Sequence, residues 1–272
     1  HNTLVDGNFL ITSYYRDGTT VHDITHPENI VQVAYYDSYS GTGDGFDGCW
    51  GTYPYLPSGN IISSDRNSVP GGFGTAKLLV YERDFKQACY LQGNVINGVI
   101  NDPTVFNTSV IGNATIQVLS TTINTNTNLM GFYKTASLNS GTFEVMFSAE
   151  GFKPDTLTVN FINGETIELD VILYPKFNVF IPKAFSPNKK GLNDSFGPII
   201  NFEEDRLNYE KNFFYNIKIY NKWHKIIFNE DNQFWDGKAK KEVVCQGTYY
   251  YDIIVYDLQQ NTFNYKGMVT VF

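Results

Sequence analysis

Residues 246–256 read QGTYYYDIIVY and residues 266–272 read KGMVTVF. Both stretches are rich in β-branched and aromatic side chains, which favour strands over helices. In the longer stretch both alternating sets of side chains are largely apolar, which indicates a central strand covered on two faces or a face that meets a partner. The shorter stretch predicts either an ordinary paired strand or an edge strand that offers free amides and carbonyls to another protein. These two strands indicate that the C-terminal part of the chain is a β-sheet.

The composition extends this interpretation to the whole chain of 272 residues. The sequence holds 28 Asn and 23 Gly against 8 Ala, a ratio that favours turns over helices. Apolar residues make up 42% of the chain, enough for packed cores, and the fold is predicted to be all-β. No run of about 18 apolar residues occurs, so no transmembrane helix is expected. The formal net charge of −8 argues against nucleic acid as a partner.

Charge along the chain predicts more than one module. Residues 1–175 hold 7 basic and 17 acidic side chains, whereas residues 176–272 hold 13 and 11. A shift of this size between two parts of a chain indicates a change of module. Together with the strand and turn patterns described below, it leads us to predict three modules, at residues 1–85, 86–175 and 176–272.

The first module is predicted to form blades of an antiparallel β-propeller. Short strands recur every ~8–12 residues, with no helical period between them. Asp17-Gly18 marks a tight turn between two of these strands. At about 40–45 residues per blade the module holds about two blades, which cannot close a ring. The remaining blades are therefore expected upstream of His1.

The sequence of this module resembles the choice-of-anchor B family, secreted bacterial proteins built on LVIVD-type propeller repeats. The resemblance rests on three stretches: VHDITHP at 21–27, GCWGTYP at 48–54 and LPSGNI at 56–61. The sequence departs from the family at residues 68–75, which look like an inserted glycine-rich loop before the closing strand. The resemblance implies an incomplete propeller of a secreted protein.

The second module is predicted to be a small β-sandwich. Six or seven short alternating strands fit into residues 86–175, with a polar turn expected at 124–128. The order of its motifs resembles the carboxypeptidase regulatory-like domain, a transthyretin-like sandwich, through LQGNV at 91–95, GNATIQV at 112–118 and EGF at 150–152. This resemblance implies a spacer or stabilising domain beside some other function.

The third module resembles the type B sorting domain of the type IX secretion system, also called the gliding motility-associated C-terminal domain. The matching motifs are SPN at 186–188, WDG at 235–237 and the two strands quoted above. Family members usually carry Gly-Asp after SPN, whereas this chain has Lys189-Lys190. If that aspartate binds a cation in relatives, the departure puts the role in doubt here. The resemblance implies a small Ig-like sandwich.

The same resemblance implies partners and a location. A sorting domain is the part of an exported protein that outer-membrane components read. The partners implied are PorP/SprF-like barrels, a PorV-like shuttle and the translocon of a Bacteroidetes-type bacterium, and the implied location is the cell surface or the extracellular space. We predict that recognition involves eight residues. They are Lys266, Gly267, Val269 and Val271, followed by Asn188, Gly191, Asn193 and Asp194.

The turn residues of this group have two interpretations that the sequence leaves open. Asn and Asp side chains bond nearby backbone amides, and Gly191 accepts a positive φ. The segment is therefore either a structural loop that holds Phe185 and Phe196 in the core or a recognition surface.

No motif predicts catalysis, so the chain is not expected to be an enzyme. His22 and His26 have the spacing of a zinc-protease pair, but the segment alternates like a strand and lacks the required helix and Glu. Asp44 and Asp47 are weak candidates for calcium because two carboxylates share a turn; otherwise no cofactor is expected. Cys49, Cys89 and Cys245 are too far apart in sequence for a metal knuckle, and the sequence does not decide whether two of them form a disulfide.

The sequence therefore predicts a secreted cargo protein whose C-terminal domain is its export signal. Two other classes of function stay open. One is a binding protein whose propeller holds a glycan or a peptide while the C-terminal domain only exports it. The other is a secreted hydrolase with its active site in upstream blades.

Overall fold

A computed structural model describes residues 1–43, 45–66, 76–98, 110–188, 190–191, 193–202, 213–257 and 259–272. In these residues the regular secondary structure is β-strand, with no helix, which confirms the all-β prediction. Accordingly, the described segments hold no candidate for a membrane-spanning helix. Asp44 and the glycine-rich stretch 68–75 lie outside the described residues.

The chain folds as two compact units. The first consists of residues 1–94, 115–147 and 156–171, and the second of residues 95–114, 148–155 and 172–272. The predicted second module contributes segments to both units. The division of the chain into three modules stays a prediction.

The first unit begins with two antiparallel sheets. A four-stranded sheet has its strands in chain order: β1 Thr3–Asp6, β2 Phe9–Ser13, β3 Thr19–Asp23 and β4 Val31–Tyr36. A three-stranded sheet follows: β5 Cys49–Tyr53, β6 Ile61–Asp65 and β7 Lys77–Tyr81. These sheets pack around a buried cluster that consists of Ile11, Val21 and Ile61. Burial of each such side chain contributes about 1.5–3 kcal/mol.

The predicted turn at Asp17-Gly18 is present between β2 and β3. The amide of Tyr14 donates to the carbonyl of Gly18 over 2.7 Å, and the amide of Gly18 donates to Tyr15 over 3.1 Å. Gly18 has a φ of +77°, and a Cβ there would clash with the carbonyl oxygen of Tyr36. The turn therefore requires glycine at this position.

Eight strands follow, as a small β-sandwich. They are β8 Cys89–Asn97, β9 Thr115–Val118, β10 Asn124–Asn126, β11 Phe132–Ser137, β12 Gly141–Ser148, β13 Asp155–Phe161, β14 Thr166–Glu168 and β15 Val171–Leu173. One sheet has the order β10-β9-β12-β13, and the other has β11-β8-β14, with β15 also paired to β8. The ring of Tyr133 in β11 contacts that of Phe147 in β12 at 5.5 Å, which joins the two sheets.

A buried carboxylate joins the N-terminal strands to this sandwich within the first unit. Asp23 is fully buried and accepts hydrogen bonds from the amide of Thr25 at 2.9 Å, the hydroxyl of Thr25 at 2.6 Å and the amide of Ala88 at 2.8 Å. Three donors offset the cost of burying the charge. The side chain therefore fixes the start of β8 relative to the end of β3.

The remaining strands form the C-terminal domain. They are β16 Phe177–Phe180, β17 Ala184–Phe185, β18 Ile199–Phe202, β19 Phe214–Tyr220, β20 Ile226–Asp231, β21 Lys238–Ala239, β22 Glu242–Val243, β23 Gly247–Tyr256 and β24 Thr262–Val271. The main sheet has the order β17-β24-β23-β19-β20, while β16-β18 and β21-β22 form two-stranded sheets. Phe177 and Val179 of β16 pack against the core beneath the main sheet. The arrangement fits a sandwich.

The three cysteines are free thiols with different environments. Cys49 and Cys89 are fully buried, and burial raises the pKa of both thiols. Cys245 is exposed. The thiolate is the reactive form of cysteine. The two buried cysteines are therefore protected from thiol reagents in two ways, because they are inaccessible and because they stay protonated.

We therefore expect one thiol per chain to react rapidly with Ellman's reagent at pH 8 and the other two only after denaturation. The measurement is the absorbance released before and after guanidinium is added. The variant Cys245→Ser is the matched control and should lose the rapid phase alone. Rapid reaction of more than one thiol in the folded chain would contradict the described burial.

Asp257 holds the turn between β23 and β24. Its carboxylate is almost fully buried and accepts from the amides of Gln259 and Asn261, from the Asn261 side chain at 3.0 Å and from Lys153 Nζ at 3.2 Å. Burial alone would raise the pKa of Asp257, but the bonds from Asn261 and Lys153 outweigh burial and lower it. A lowered pKa in the folded state means that ionised Asp257 stabilises the fold.

We expect Asp257→Asn to lower the free energy of unfolding by about 1–3 kcal/mol at pH 7. The contribution of Asp257 is present above its unfolded pKa near 3.8 and is lost as pH falls through the lower folded value. The difference between variant and parent should therefore shrink below pH 4. Urea denaturation at several pH values measures this difference in the free energy of unfolding.

Asp252→Asn is the control, because Asp252 pairs with the exposed Lys266 and its loss should cost under about 1 kcal/mol. A pH-independent difference for Asp257→Asn would refute the assignment.

Candidate functional site

The predicted turn residues form a loop held by its own hydrogen bonds. The Asp194 carboxylate accepts from the amide of Gly191 at 2.6 Å and from the amide of Lys190 at 3.3 Å. The Asn188 side-chain oxygen also accepts from the amide of Lys190, at 3.0 Å. Gly191 and Asn193 both have positive φ, which Gly and Asn tolerate best. The carboxylate of Asp194 thus organises the loop through backbone donors.

This loop lies beside the C-terminal strand. The hydroxyl of Ser186 donates to the carbonyl of Phe272 at 3.3 Å, and the amide of Phe272 donates to Phe185 at 3.1 Å. The amide of Thr270 donates to Lys183 at 3.0 Å. These contacts place the loop beside the last residues of β24, next to Val271, whereas Lys266 and Gly267 lie further back along that strand.

The C-terminal strand β24 is paired on both sides, so it is not a wholly free edge strand. It pairs with β23 over ten positions, from Gly247↔Val271 to Tyr256↔Thr262. On its other side β17 pairs with it in parallel, at Thr270 and Val271. In the part of the chain that the structure describes, no strand pairs with β24 on that side before Thr270, and the strand at the opposite end of this sheet is β20.

The four predicted residues of β24 have different environments. Val269 and Val271 are buried in the core that also contains Trp235. Gly267 faces the Tyr251 ring, since a Cβ there would lie 2.6 Å from the Tyr251 hydroxyl oxygen. Lys266 is 72% exposed and forms an ion pair of 3.0 Å with Asp252. Of this set, Lys266 is the residue with an exposed side chain.

The opposite face of the main sheet carries an apolar row that crosses four strands. Tyr220 pairs with Tyr250, and Tyr250 with Met268, so these three side chains share one face. Ile226 pairs with Tyr220 at a β-bulge and is also exposed. Tyr250 is 37% exposed and Met268 59%. We call these four residues the outer stripe. Contiguous exposed apolar side chains on a soluble domain mark interaction surfaces.

Charged and aromatic groups border the outer stripe. The next row of the same face consists of Lys218, Asp252 and Lys266, paired strand by strand. The ring of His224 stacks on Tyr250 at 5.2 Å. The sequence analysis did not identify the stripe. The sequence signal for the outer stripe was the apolar character of both faces of residues 248–256. Ile226 and Tyr220 join the stripe only through the order of the strands, which the sequence does not show.

One of the two candidate calcium ligands is described, and it forms an ion pair. The carboxylate of Asp47 forms an ion pair of 2.7 Å with Arg16. Asp44 is not among the described residues. Within the described ranges no group of three or more His, Cys, Asp or Glu side chains is placed to hold a metal ion.

Two protein families match parts of the chain. The CHU_C type IX secretion signal domain matches residues 179–271, and the CarboxypepD_reg-like domain matches residues 96–179. The chain therefore contains a type IX secretion C-terminal signal domain and a carboxypeptidase regulatory-like domain, which confirms two of the three resemblances. The signal domain supports a secreted cargo protein that is exported to the cell surface or the extracellular space.

Solved structures resemble the chain only distantly. A cohesin-X-dockerin complex of Acetivibrio cellulolyticus is 14% identical, with 32% of this chain and 58% of that chain covered and a TM-score of 0.28. BcpA, the major pilin subunit of Bacillus cereus, is 9% identical, with coverages of 68% and 69% and a TM-score of 0.30. The Bacillus anthracis TIE protein is 11% identical, with coverages of 99% and 54% and a TM-score of 0.30. These likenesses define neither fold nor function, and no curated protein matches the chain.

We expect Val269→Ala to destabilise the C-terminal domain and Met268→Ala to leave it nearly unchanged. Val269 is fully buried, so its truncation removes packed methyl groups and costs about 1–2 kcal/mol, whereas exposed Met268 should cost under about 0.5 kcal/mol. Urea denaturation followed by Trp235 fluorescence measures both, in a background where Trp50 and Trp223 are phenylalanine. Equal effects of the two variants would contradict the described direction of the side chains.

Proposed function

We propose that residues 176–272 act as a folded export signal that outer-membrane components of the type IX secretion machinery read by shape. The match to the type IX secretion signal domain supports the general role. The observation that carries the finer proposal is the outer stripe, an exposed apolar row that crosses four strands beside Lys266. The candidate partners are PorP/SprF-like barrels, a PorV-like shuttle and the translocon.

Recognition in this proposal depends on a folded domain and not on a linear peptide. The outer stripe takes one residue from each of four strands, so it exists only once β24 has paired with β23. Val269 and Val271 contribute by holding β24 in the sheet, and Gly267 by admitting the Tyr251 ring. We assign these three residues a positioning role and assign contact with the partner to Lys266 and the outer stripe.

The second group of predicted residues has a related role. The loop that contains Asn188, Gly191, Asn193 and Asp194 is bonded to the end of β24 through Ser186 and Phe272. Its exposed side chains border the end of the same sheet. We propose that it forms the rim of the recognised surface.

In this proposal the binding free energy comes from burial of the apolar side chains of the outer stripe, which charged residues border. Burying the side chains of Tyr250 and Met268 against a partner contributes about 1.5–3 kcal/mol each. Lys266 and Lys218 lie in the next row and contribute mainly to orientation and encounter, as exposed charges do. No bond is made or broken, and the proposal assigns this domain no catalysis and no cofactor.

We further propose that the N-terminal strands are propeller blades. The meander β1–β4 has four antiparallel strands in chain order, which is the construction of one blade, and β5–β7 repeat the first three strands of that order. The exported cargo then consists of propeller blades followed by the carboxypeptidase regulatory-like domain.

A reporter fusion tests the export role. A fluorescent protein with a periplasmic export signal is joined to residues 176–272 and expressed in a bacterium with type IX secretion. We expect the fusion at the cell surface or in the medium, measured by surface proteolysis and fractionation. A folded fusion retained in the periplasm would contradict the proposal.

Substitutions in the outer stripe test the recognition surface. We expect Tyr250→Ser combined with Met268→Ser to reduce export of the full chain by about tenfold or more, since two apolar contacts are lost. Val243→Ser is the matched control, because Val243 is also an exposed apolar strand residue and lies outside the stripe. Thermal unfolding verifies that all variants fold. Unchanged export of the double variant, or an equal loss in the control, would rule out the stripe.

A further inference from the structure

A cavity of about 480 Å³ lies on one face of the sheet β1–β4. Thr20 in β3 pairs with Tyr35 in β4, and His22 pairs with Gln32, so these four side chains share a face. Val21 lies on the opposite face, in the cluster that packs against the sheet β5–β7. The cavity is therefore separate from the core of these strands, and it belongs to a part of the chain that the export function does not use.

The floor of the cavity holds two polar atoms with no hydrogen-bond partner among the described residues. Thr20 is only 6% exposed, and its hydroxyl oxygen lacks a partner. The buried Nδ1 of His22 also lacks one. Burial lowers the pKa of His22, so its imidazole is neutral at pH 7. A buried polar atom without a partner costs about 1–3 kcal/mol, a cost that a bound ligand with hydroxyl groups would remove.

The rim of the cavity is aromatic and acidic. Tyr14 and Tyr35 are largely exposed, and 69% of Tyr35 is accessible. Two carboxylates, from Asp17 and Asp37, complete the rim. One oxygen of Asp37 accepts from the amide of Tyr39 at 2.8 Å, which fixes the orientation of that side chain.

We propose that this cavity binds a saccharide. A sugar hydroxyl donates and accepts at once, which matches a floor composed of a Thr hydroxyl and a neutral imidazole beside the exposed amide of Gln32. The exposed rings of Tyr14 and Tyr35 offer apolar faces to the C–H groups of a sugar ring, and the rim carboxylates accept from its hydroxyls. The cavity volume lies within the range of about 300–1,000 Å³ that is typical of small-molecule sites.

The hydrogen-bonding groups at the bottom of the cavity favour a hydroxyl-bearing ligand over a cation. An ammonium group has only donors, so it would satisfy the two carboxylates but would leave the hydroxyl hydrogen of Thr20 without an acceptor. A hydroxyl-bearing ligand uses both kinds of group. The inference concerns the cargo part of the chain and does not rest on the proposed export function.

Binding of defined sugars by the full chain tests the proposal. The probes are glucose, galactose, mannose, N-acetylglucosamine and the hexasaccharides of cellulose, xylan and starch, each at up to about 10 mM, with ethylammonium, which has N–H donors and no hydroxyl, as a cationic comparison. Saturation-transfer NMR detects binding and calorimetric titration measures Kd. We expect at least one sugar to bind and ethylammonium not to bind.

Two variants locate the site. Thr20→Val removes the unpartnered hydroxyl at nearly constant volume and should leave thermal stability unchanged or higher, while Kd rises about tenfold. Tyr35→Ala removes an exposed ring and should weaken binding by a similar factor. Tyr36→Ala is the matched control: it is also an exposed tyrosine of β4, but it pairs with Thr19 on the opposite face and should change Kd by less than about twofold.

Three outcomes would overturn the proposal. The first is that no sugar of the panel binds. The second is that ethylammonium binds and the sugars do not, which would assign the cavity to cations. The third is that a sugar binds with unchanged Kd in both Thr20→Val and Tyr35→Ala, which would place its site elsewhere on the chain.

Discussion

The pairing of β24 with β23 is the interaction on which the C-terminal domain depends. Ten residue pairs join the two strands, and the alternation along β24 places Val269 and Val271 in the core with Trp235 while Met268 and Lys266 face outward. A shift of one residue would exchange these faces, so core burial fixes the register. The same constraint that folds the domain therefore also sets which side chains of β24 are exposed.

The C-terminal domain and the sheet β1–β4 carry surfaces of different chemistry. The C-terminal domain carries an exposed apolar row, suited to a protein surface that excludes water. The sheet β1–β4 carries a polar cavity with aromatic walls, suited to a small hydroxyl-bearing ligand. The residues proposed for export and the residues proposed for ligand binding are different. A cargo of this kind can therefore change its ligand by substitutions around the cavity without loss of its export signal.

Alternation and turn chemistry predicted much of the fold, because these signals are local. The strands expected within 246–256 and 266–272 are β23 and the second half of β24, and the turn at Asp17-Gly18 is present. The polar turn expected at 124–128 was wrong, because residues 124–126 form the edge strand β10, which buries few side chains and so lacks an apolar pattern. The outer stripe joins four strands, and only their tertiary order reveals it.

The central claim is that outer-membrane secretion proteins contact the outer stripe of the folded C-terminal domain. Site-specific photo-cross-linking in secreting cells tests it most directly, with p-benzoylphenylalanine replacing Tyr250 in one strain and Val243 in another. Recognition through the stripe predicts a cross-link from position 250 to an outer-membrane protein of the type IX system, and none from position 243. Secretion of both variants without a cross-link at position 250, or with equal cross-links at both positions, would contradict the claim.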